Sequence, residues 1–392
     1  MSDFSEPVAV ATVTEVAAVR STIRELCASF GIAYWRALEP DRYPQEFVDA
    51  LTRHGWLAAL IPEQYGGAGL GLQIASVILE EINASGGNGA ACHAQMYTMG
   101  TLLRHGTPAQ KQRHLPAIAS GERRLQAFAV TEPEAGSDTT RISTTADRVA
   151  GGWRLRGQKV FTSRALHSDL MIVLARTTPL EDSQRASDGL SVFLLDIREA
   201  GRALTIRPIR TMTNHGTTEV FFDDVELPED SLIGEQDRGF HHILDGLNAE
   251  RILIAAECVG DGRWFVSTAS RYAVDRVVFD RPIGANQGVQ FPIARAHVAV
   301  EAADLMRQKA AALFDAGVPC GAEANMAKLL ASEASWQAAN ACLDAHGGWG
   351  FAAEYDIERK FRETRLYQTA PVTNNLVLAY VGHHVLGMPR SY

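Results

Sequence analysis

The stretch Phe128-Ala-Val-Thr-Glu-Pro-Glu-Ala-Gly-Ser-Asp138 decides how this chain is read. A short apolar strand runs into a proline turn and then a Gly-Ser-Asp corner, an arrangement that can lay backbone amides and hydroxyls along a planar ring. From Leu125 to Gly234 the sequence keeps this character, with short apolar or alternating runs separated by turn residues. The runs are Leu125 to Val130, Trp153 to Phe161, Leu170 to Ala175, Leu190 to Asp196, Leu204 to Ile209 and Glu219 to Val225. Gly151-Gly152 lies between two of them as a hairpin turn would. Together they predict a β domain, a small barrel or sandwich.

Outward on both sides the period becomes helical. Between Val13 and about Arg124 it shows in Val16, Val19, Ile23 and Leu26, and again in Leu102, His105 and the stretch from Pro108 to Leu115. After Gly239 it returns and lasts to about Val385, with Ile243, Leu247, Glu250 or Arg251 and Ile254 on one face. Helices on either side of a β segment do not follow the alternating plan of a parallel doubly wound sheet. Gly66-Gly-Ala-Gly-Leu-Gly71 lacks the preceding strand that a dinucleotide-phosphate loop needs, and reads as a tight loop between helices.

Composition narrows the function. The 392 residues are 46% hydrophobic and 21% charged, an ordinary globular balance. A net charge of -9 and a pI near 5.8, with no basic run, argue against nucleic acid as a partner. The start of the chain has no signal-like segment and no later stretch nears the ~20 apolar residues of a membrane span, so a cytoplasmic protein without a membrane is expected. Cys27, Cys92, Cys258, Cys320 and Cys342 are too far apart for a zinc or redox motif and are expected to be reduced packing residues. His241-His242 and His383-His384 point about 100° apart on a helix, so no metal is expected.

Three further segments follow the first at wide spacing: Gly157-Gln-Lys-Val-Phe-Thr-Ser163, Leu247-Asn-Ala-Glu-Arg251 and His346-Gly-Gly-Trp-Gly350. In this order the four segments resemble the acyl-CoA dehydrogenase family, FAD enzymes that desaturate acyl thioesters. The resemblance runs from about Pro62 to the C-terminus. It implies an α+β fold in three parts: an N-terminal helical domain (1–124), a middle antiparallel β-barrel-like domain (125–235) and a C-terminal four-helix bundle domain (236–392). The same resemblance places Phe128, Val130 and Thr131 along the flavin ring and Gly136 and Ser137 toward flavin or thioester. Phe161 would cover a ring face, where relatives often have Trp, and Ser163 would reach N5 or O4. Arg276, Phe279, Gln287, Asp344, Gly347 and Gly348 are expected against a neighbouring subunit's FAD, with Thr373 and Asn375 near the diphosphate or ribityl region. That sharing implies a homo-oligomer, a dimer of dimers. Val278, Asp280 and Asp344 depart from the family's usual residues, and an acidic group near a diphosphate is unfavourable unless it points away.

Removing a proton alpha to a thioester needs a carboxylate in a water-poor pocket, where desolvation strengthens it as a base. By resemblance this base stands either on a late loop, where the chain has Pro371, or on the long helix, where it has Glu250. The expected catalytic residue is therefore Glu250, the helix-glutamate type of the isovaleryl and long-chain branches. Leu247, Asn248 and Arg251, with Ser137, would bind the substrate. Proline also lacks the N–H that relatives offer to the thioester carbonyl at that loop position. The implied activity is α,β-desaturation of an acyl-CoA, with an electron-transferring flavoprotein as acceptor. Alternatives are an acyl-ACP dehydrogenase of a biosynthetic pathway, possibly oxidising further along the chain, and a flavin-dependent monooxygenase on the same fold. A third, a non-catalytic thioester-binding scaffold, would lack flavin or expose Glu250.

Overall fold

The computed structural model describes residues 11–391. The chain begins with helices α1 (Val13–Ala28), α2 (Ile32–Ala37), α3 (Gln45–Arg53), α4 (Leu72–Ala84), α5 (Ala90–His105) and α6 (Pro108–Ser120). Strands β1 (Leu125–Ala129), β2 (Thr145–Val149), β3 (Gly152–Ser163), β4 (Leu170–Arg176) and β5 (Leu190–Asp196) follow. A short helix α7 (Ile197–Ala200) precedes β6 (Leu204–Pro208), β7 (Thr217–Pro228) and β8 (Leu232–Ile233). The long helix α8 (Gly239–Asp275) leads to a ribbon of β9 (Val277–Val278) and β10 (Arg281–Pro282). Helices α9 (Gln287–Asp315), α10 (Gly321–His346), α11 (Ile357–Arg365) and α12 (Asn374–Tyr380) complete the chain.

Local chemistry explains where helices begin and end. In α6, the Thr107 hydroxyl accepts the Gln110 N–H at 3.2 Å while the Gln110 side chain accepts the Thr107 N–H at 2.8 Å, with Pro108 in the first turn. The helix stops at Gly121, whose φ of 78° closes the last turn. The Gly66–Gly71 stretch is a loop, as expected: Gly66 and Gly69 sit at φ 84° and 61°, and the Gly69 N–H bonds the Ile61 carbonyl at 2.8 Å.

By packing, the described chain forms two compact units that interleave in sequence. The first comprises residues 40–70 and 90–247, and the second residues 11–39, 71–89 and 248–391. In the first, the sheet order is β6-β7-β3-β2-β4-β5-β8, with β1 beside β4. The middle segment is β-rich as expected, but not wholly antiparallel: β4 runs parallel to β1 and, at Thr145–Arg176, to β2. The chain leaves β1 through the proline turn and the β2–β3 hairpin before it returns, a crossover that a parallel pair requires. Strand β4 is buried on both faces. Its Leu170, Ile172 and Leu174 join Met99, Leu102, Leu115 and Ile118 of α5 and α6. Met171, Val173 and Ala175 instead join Trp153, Leu155 and Phe222. The two-residue period of a strand divides the apolar set between two cores.

The second unit is helical. Trp264 and Phe265 of α8, Ile293 and Ala296 of α9, and Ala338, Ala339 and Cys342 of α10 share one core. Helix α8 passes very close to α4: a Cβ on Gly260 would lie 2.3 Å from the Glu80 carbonyl oxygen, so only glycine fits. Beside this crossing, the fully buried Glu80 carboxylate receives Arg20 at 2.6 Å, Arg307 at 3.1 Å and also Arg263. Asp304 receives Arg263 at 2.8 Å and Arg307 at 2.5 Å. Distributing two carboxylates among three guanidinium groups satisfies charges that would be costly if left single. All five cysteines are buried, and none forms a disulfide. Among the described residues no helix is long and apolar enough to cross a membrane.

Candidate active site

In the first unit the expected flavin residues gather where β1 ends beside β3. The Thr131 carbonyl accepts the Val160 N–H at 2.9 Å, which ties the two segments together. Beneath this tie lies a buried ion pair, Glu132 with Lys159 at 2.9 Å, and Lys159 Nζ also donates to the Val130 carbonyl at 2.9 Å. Glu132 further accepts the N–H and hydroxyl of Ser143 at 2.6 and 2.7 Å and the Thr144 N–H at 2.8 Å. Burial alone would raise the Glu132 carboxyl, but the Lys159 charge and these bonds outweigh it and hold it at about 2. No role was expected for either residue. The signal available was a Lys inside a strand run and a Glu at the start of the proline turn.

Phe161 occupies a bulge. Lys159 pairs with Val220 and Thr162 with Thr218, so Val160 and Phe161 together face Glu219. The extra residue places Phe161 at φ 56°, a left-handed conformation that an aromatic residue seldom adopts, and turns its ring outward with 64% exposure. Ser163 returns to register opposite Thr217. Phe128 is half-buried and meets Tyr97 of α5 edge to face, ring centroids 5.6 Å apart. Val130 and Thr131 are half-buried. Gly136 and Ser137 stand exposed at the turn, with nothing within 4 Å of where a Gly136 Cβ would be. Leu247 is half-buried on α8.

In the second unit Glu250 is 7% exposed on α8. Its neighbour Arg251 donates to Asn248 Oδ1 at 3.2 Å. Burial lowers the Arg251 pKa, while Glu250 and Tyr380 oppose the shift. A further constellation surrounds an open cavity of about 690 Å³ lined by Arg276, Val278, Asp344, Gly347 and Gly348. Its aromatic wall includes Tyr272 stacked on His346, centroids 3.9 Å apart, and His346 Nδ1 donates to the Cys342 carbonyl at 2.8 Å. Phe279 and Gln287 do not line this cavity. Phe279 is 94% exposed in the two-residue turn between β9 and β10, and Gln287 is exposed at the start of α9.

The late loop is held by a residue for which no role was expected. Lys328 of α10, fully buried, donates from Nζ to the Val372 carbonyl and to Asn374 Oδ1, both at 2.7 Å. Thr373 caps α12 by accepting the Leu376 N–H at 3.3 Å, and Asn375 is exposed in its first turn.

Family models for the acyl-CoA dehydrogenase N-terminal, middle and C-terminal domains match residues 14–122, 127–225 and 237–386. The acyl-CoA dehydrogenase fadE12 of Mycobacterium bovis is 37% identical over 380 residues, covering 96% of this chain and 97% of that protein. An acyl-CoA dehydrogenase of Bacillus subtilis is 35% identical over 353 residues, covering 88% and 91%. Among solved structures, glutaryl-coenzyme A dehydrogenase in complex with glutaryl-CoA superposes with a TM-score of 0.90 at 28% identity, covering 98% of each chain.

Proposed function

Because the chain belongs to the acyl-CoA dehydrogenase family, whose members are flavin-dependent oxidoreductases acting on acyl-CoA, we propose that it desaturates an acyl-CoA between its α and β carbons, with Glu250 as base. The observation that carries this reading is the burial of Glu250 on α8 together with a proline, not an acid, at position 371.

The residues present suit FAD. The Phe161 bulge offers a flat apolar face beside the hydroxyls of Thr131 and Ser163. The cavity at Arg276 offers a guanidinium fork to a diphosphate, and the close backbone of Gly347 and Gly348 leaves room for it. Asp344 is exposed at this cavity, so its carboxylate is free to turn to solvent. When bound, FAD supplies the acceptor for a hydride. The protein's part is to exclude water around the α carbon and to receive the α proton on the Glu250 carboxylate as the β hydrogen departs with its electron pair. Leu247, Asn248 and Arg251, with Ser137, are read as substrate contacts. Phe128, Val130 and Gly136 are read as lining the ring, and Phe279, Gln287, Thr373 and Asn375 as completing the cofactor contacts.

The reading extends to a cytoplasmic dimer of dimers that passes its electrons to an electron-transferring flavoprotein, with three domains at 1–124, 125–235 and 236–392. Pro371 favours a second reading, a thioester carried on an acyl carrier protein and seated differently. The presence of Glu250 on the long helix counts against a monooxygenase, and its burial counts against a scaffold. The test is anaerobic mixing of the yellow protein with a panel of acyl-CoA and acyl-carrier-protein thioesters, followed by flavin absorbance. Bleaching by one thioester, slowed about 10²–10⁴-fold in Glu250→Gln, is the expected result. Flavin-loaded protein that no saturated thioester bleaches would overturn the dehydrogenase reading.

A further inference from the structure

Helices α8 and α11 are joined by a group of charges that is wholly buried. Lys360 of α11 lies 2.5 Å from Asp261 Oδ1 on α8, 3.2 Å from Glu363 and 2.9 Å from the Gly87 carbonyl, which occupies its three N–H groups. Asn83 of α4 donates to the same Asp261 Oδ1 at 3.0 Å. Both partners of Asp261 therefore meet one oxygen. The other, Oδ2, is equally buried and receives no donor among the described residues.

A buried carboxylate oxygen without a donor is costly, and a proton bound there removes the charge. We propose that Asp261 carries a proton on Oδ2 and is a pH-sensitive switch between α8, α11 and the start of the late loop. The charges around it decide when the proton leaves. Burial opposes ionisation most, Lys360 favours it by charge and hydrogen bond, and the carboxylates of Glu363 and of Glu257, one turn earlier on α8, oppose it. The Asn83 amide sides with Lys360, yet the balance holds the Asp261 carboxyl up at about 7. Burial raises the Tyr367 hydroxyl and the Cys258 thiol, and the Asp261 charge adds to both.

Glu363 has a second cation and Asp261 has none. Arg359 binds Glu363 at 2.8 Å and Asp356 at 3.2 Å, and Arg36 of α2 binds Asp356 at 2.6 Å. With Asp261 protonated, Lys360 belongs to Glu363; with Asp261 ionised, two carboxylates compete for one ammonium. The same switch reaches the late loop through Asn83. Its Nδ2 is shared between Asp261 Oδ1 at 3.0 Å and Tyr367 Oη at 3.4 Å, while its Oδ1 is fixed by the Gly89 N–H at 2.9 Å. An ionised Asp261 is the stronger acceptor and draws the amide away from Tyr367, which is buried in the turn Leu366–Gln368 that opens the loop.

The first test looks for the proton. Infrared spectra of full-length protein labelled with [4-¹³C]aspartate should show a protonated carboxyl band at about pH 6 that is gone at about pH 8.5 and is missing at both in Asp261→Asn. Unfolding supplies the sign. The folded value of about 7 lies above the unfolded 3.8, so the native chain binds more protons between them. This contribution to stability is present below about 3.8 and is lost as pH rises to about 7. Across that window the unfolding constant of wild type, relative to Asp261→Asn, should rise up to about tenfold per pH unit. Amide exchange at residues 366–370, corrected for its intrinsic rate, should quicken between about pH 6 and 8.5 in wild type and not in Asp261→Asn.

No such band in wild type, or unfolding curves that run parallel in the two proteins, overturns the proton on Asp261. A band that titrates while residues 366–370 exchange alike in both proteins overturns the switch to the loop. If Asp261→Asn does not fold, Glu257→Gln decides: it removes an opposing carboxylate and should move the loss of the band to lower pH, and an unmoved midpoint overturns the assignment. None of these readouts uses a thioester, so the outcome is separate from that of the bleaching experiment.

Discussion

Phe161 and Phe279 are both held at positive φ, 56° and 53°, and both rings face outward, yet the backbone supports them very differently. Phe161 lies within a twelve-residue strand. It is tied by the Val160–Thr131 bond and by Thr218 donating to the Thr162 carbonyl at 2.7 Å, with the Glu132–Lys159 pair beneath. Phe279 sits on a ribbon of two residue pairs, where Asp280 is also at positive φ, 60°. Its nearby supports are Arg281 donating to Asn286 at 2.5 Å and the Ile283–Arg276 backbone bond at 2.9 Å. A left-handed residue other than glycine costs about 1–3 kcal/mol. Within the sheet that cost is sustained by what surrounds it. On the ribbon few neighbours of its own unit share it, which suits a residue read as docking against another subunit's cofactor.

The largest effect should come from removing the support of the bulge. Lys159→Met leaves the Glu132 carboxylate buried without its cation and should cost about 3–5 kcal/mol in denaturant unfolding. A loss below about 1 kcal/mol would mean the pair does not hold the bulge, and the contrast would fail. Acid should reveal the same support. Because folding lowers the Glu132 pKa, from 4.5 to about 2, the unfolded chain binds more protons between those values. The contribution is present above about 4.5 and is lost as pH falls toward about 2. A Glu132→Gln variant should lack this part of the slope in a series of unfolding midpoints against pH.

Smaller effects separate the two phenylalanines. Either Phe→Gly change relieves backbone strain and should leave the folded chain within about 1 kcal/mol of wild type. Cofactor retention should divide them: Phe161→Gly should lose flavin at any protein concentration, Phe279→Gly mainly on dilution, as gel filtration with absorbance would show. Equal loss at all concentrations would remove the assignment of Phe279 to a neighbouring subunit. The smallest change is Asp280→Gly, which should stabilise the chain by no more than about 0.5 kcal/mol, because Asp already tolerates this conformation better than Phe. Calorimetry should register it as a slight rise in Tm.

What was legible in the sequence was local. The Gly66–Gly71 loop follows from the glycines themselves, and the β runs from their period. The bulge was not visible, because it depends on how Lys159 and Thr162 register against Val220 and Thr218 of a distant strand. Glu132–Lys159 and Lys328–Val372 join residues 27 and 44 apart, and no pattern of spacing announces such pairs. Helical periodicity also marks an apolar face without saying which core receives it. Helices α1, α2 and α4 pack with the C-terminal helices, while α3, α5 and α6 join the sheet, although all six read alike. The positions of Glu250 and Pro371 were legible only through the resemblance. The hold on the loop beyond Pro371 required the fold.

The guanidinium cluster around Glu80 has a consequence for how the protein is made. Glu80 leaves the ribosome long before Arg263, which follows it by 183 residues, and Arg307 is later still. At roughly 5–20 residues per second, Glu80 waits about ten to forty seconds for Arg263. During that interval Arg20 is the only one of its three cations already synthesised, and the helix that carries Gly260 past α4 does not yet exist. A ribosome stalled between these points would hold a nascent chain with an exposed, half-built helical unit, a natural client for a chaperone.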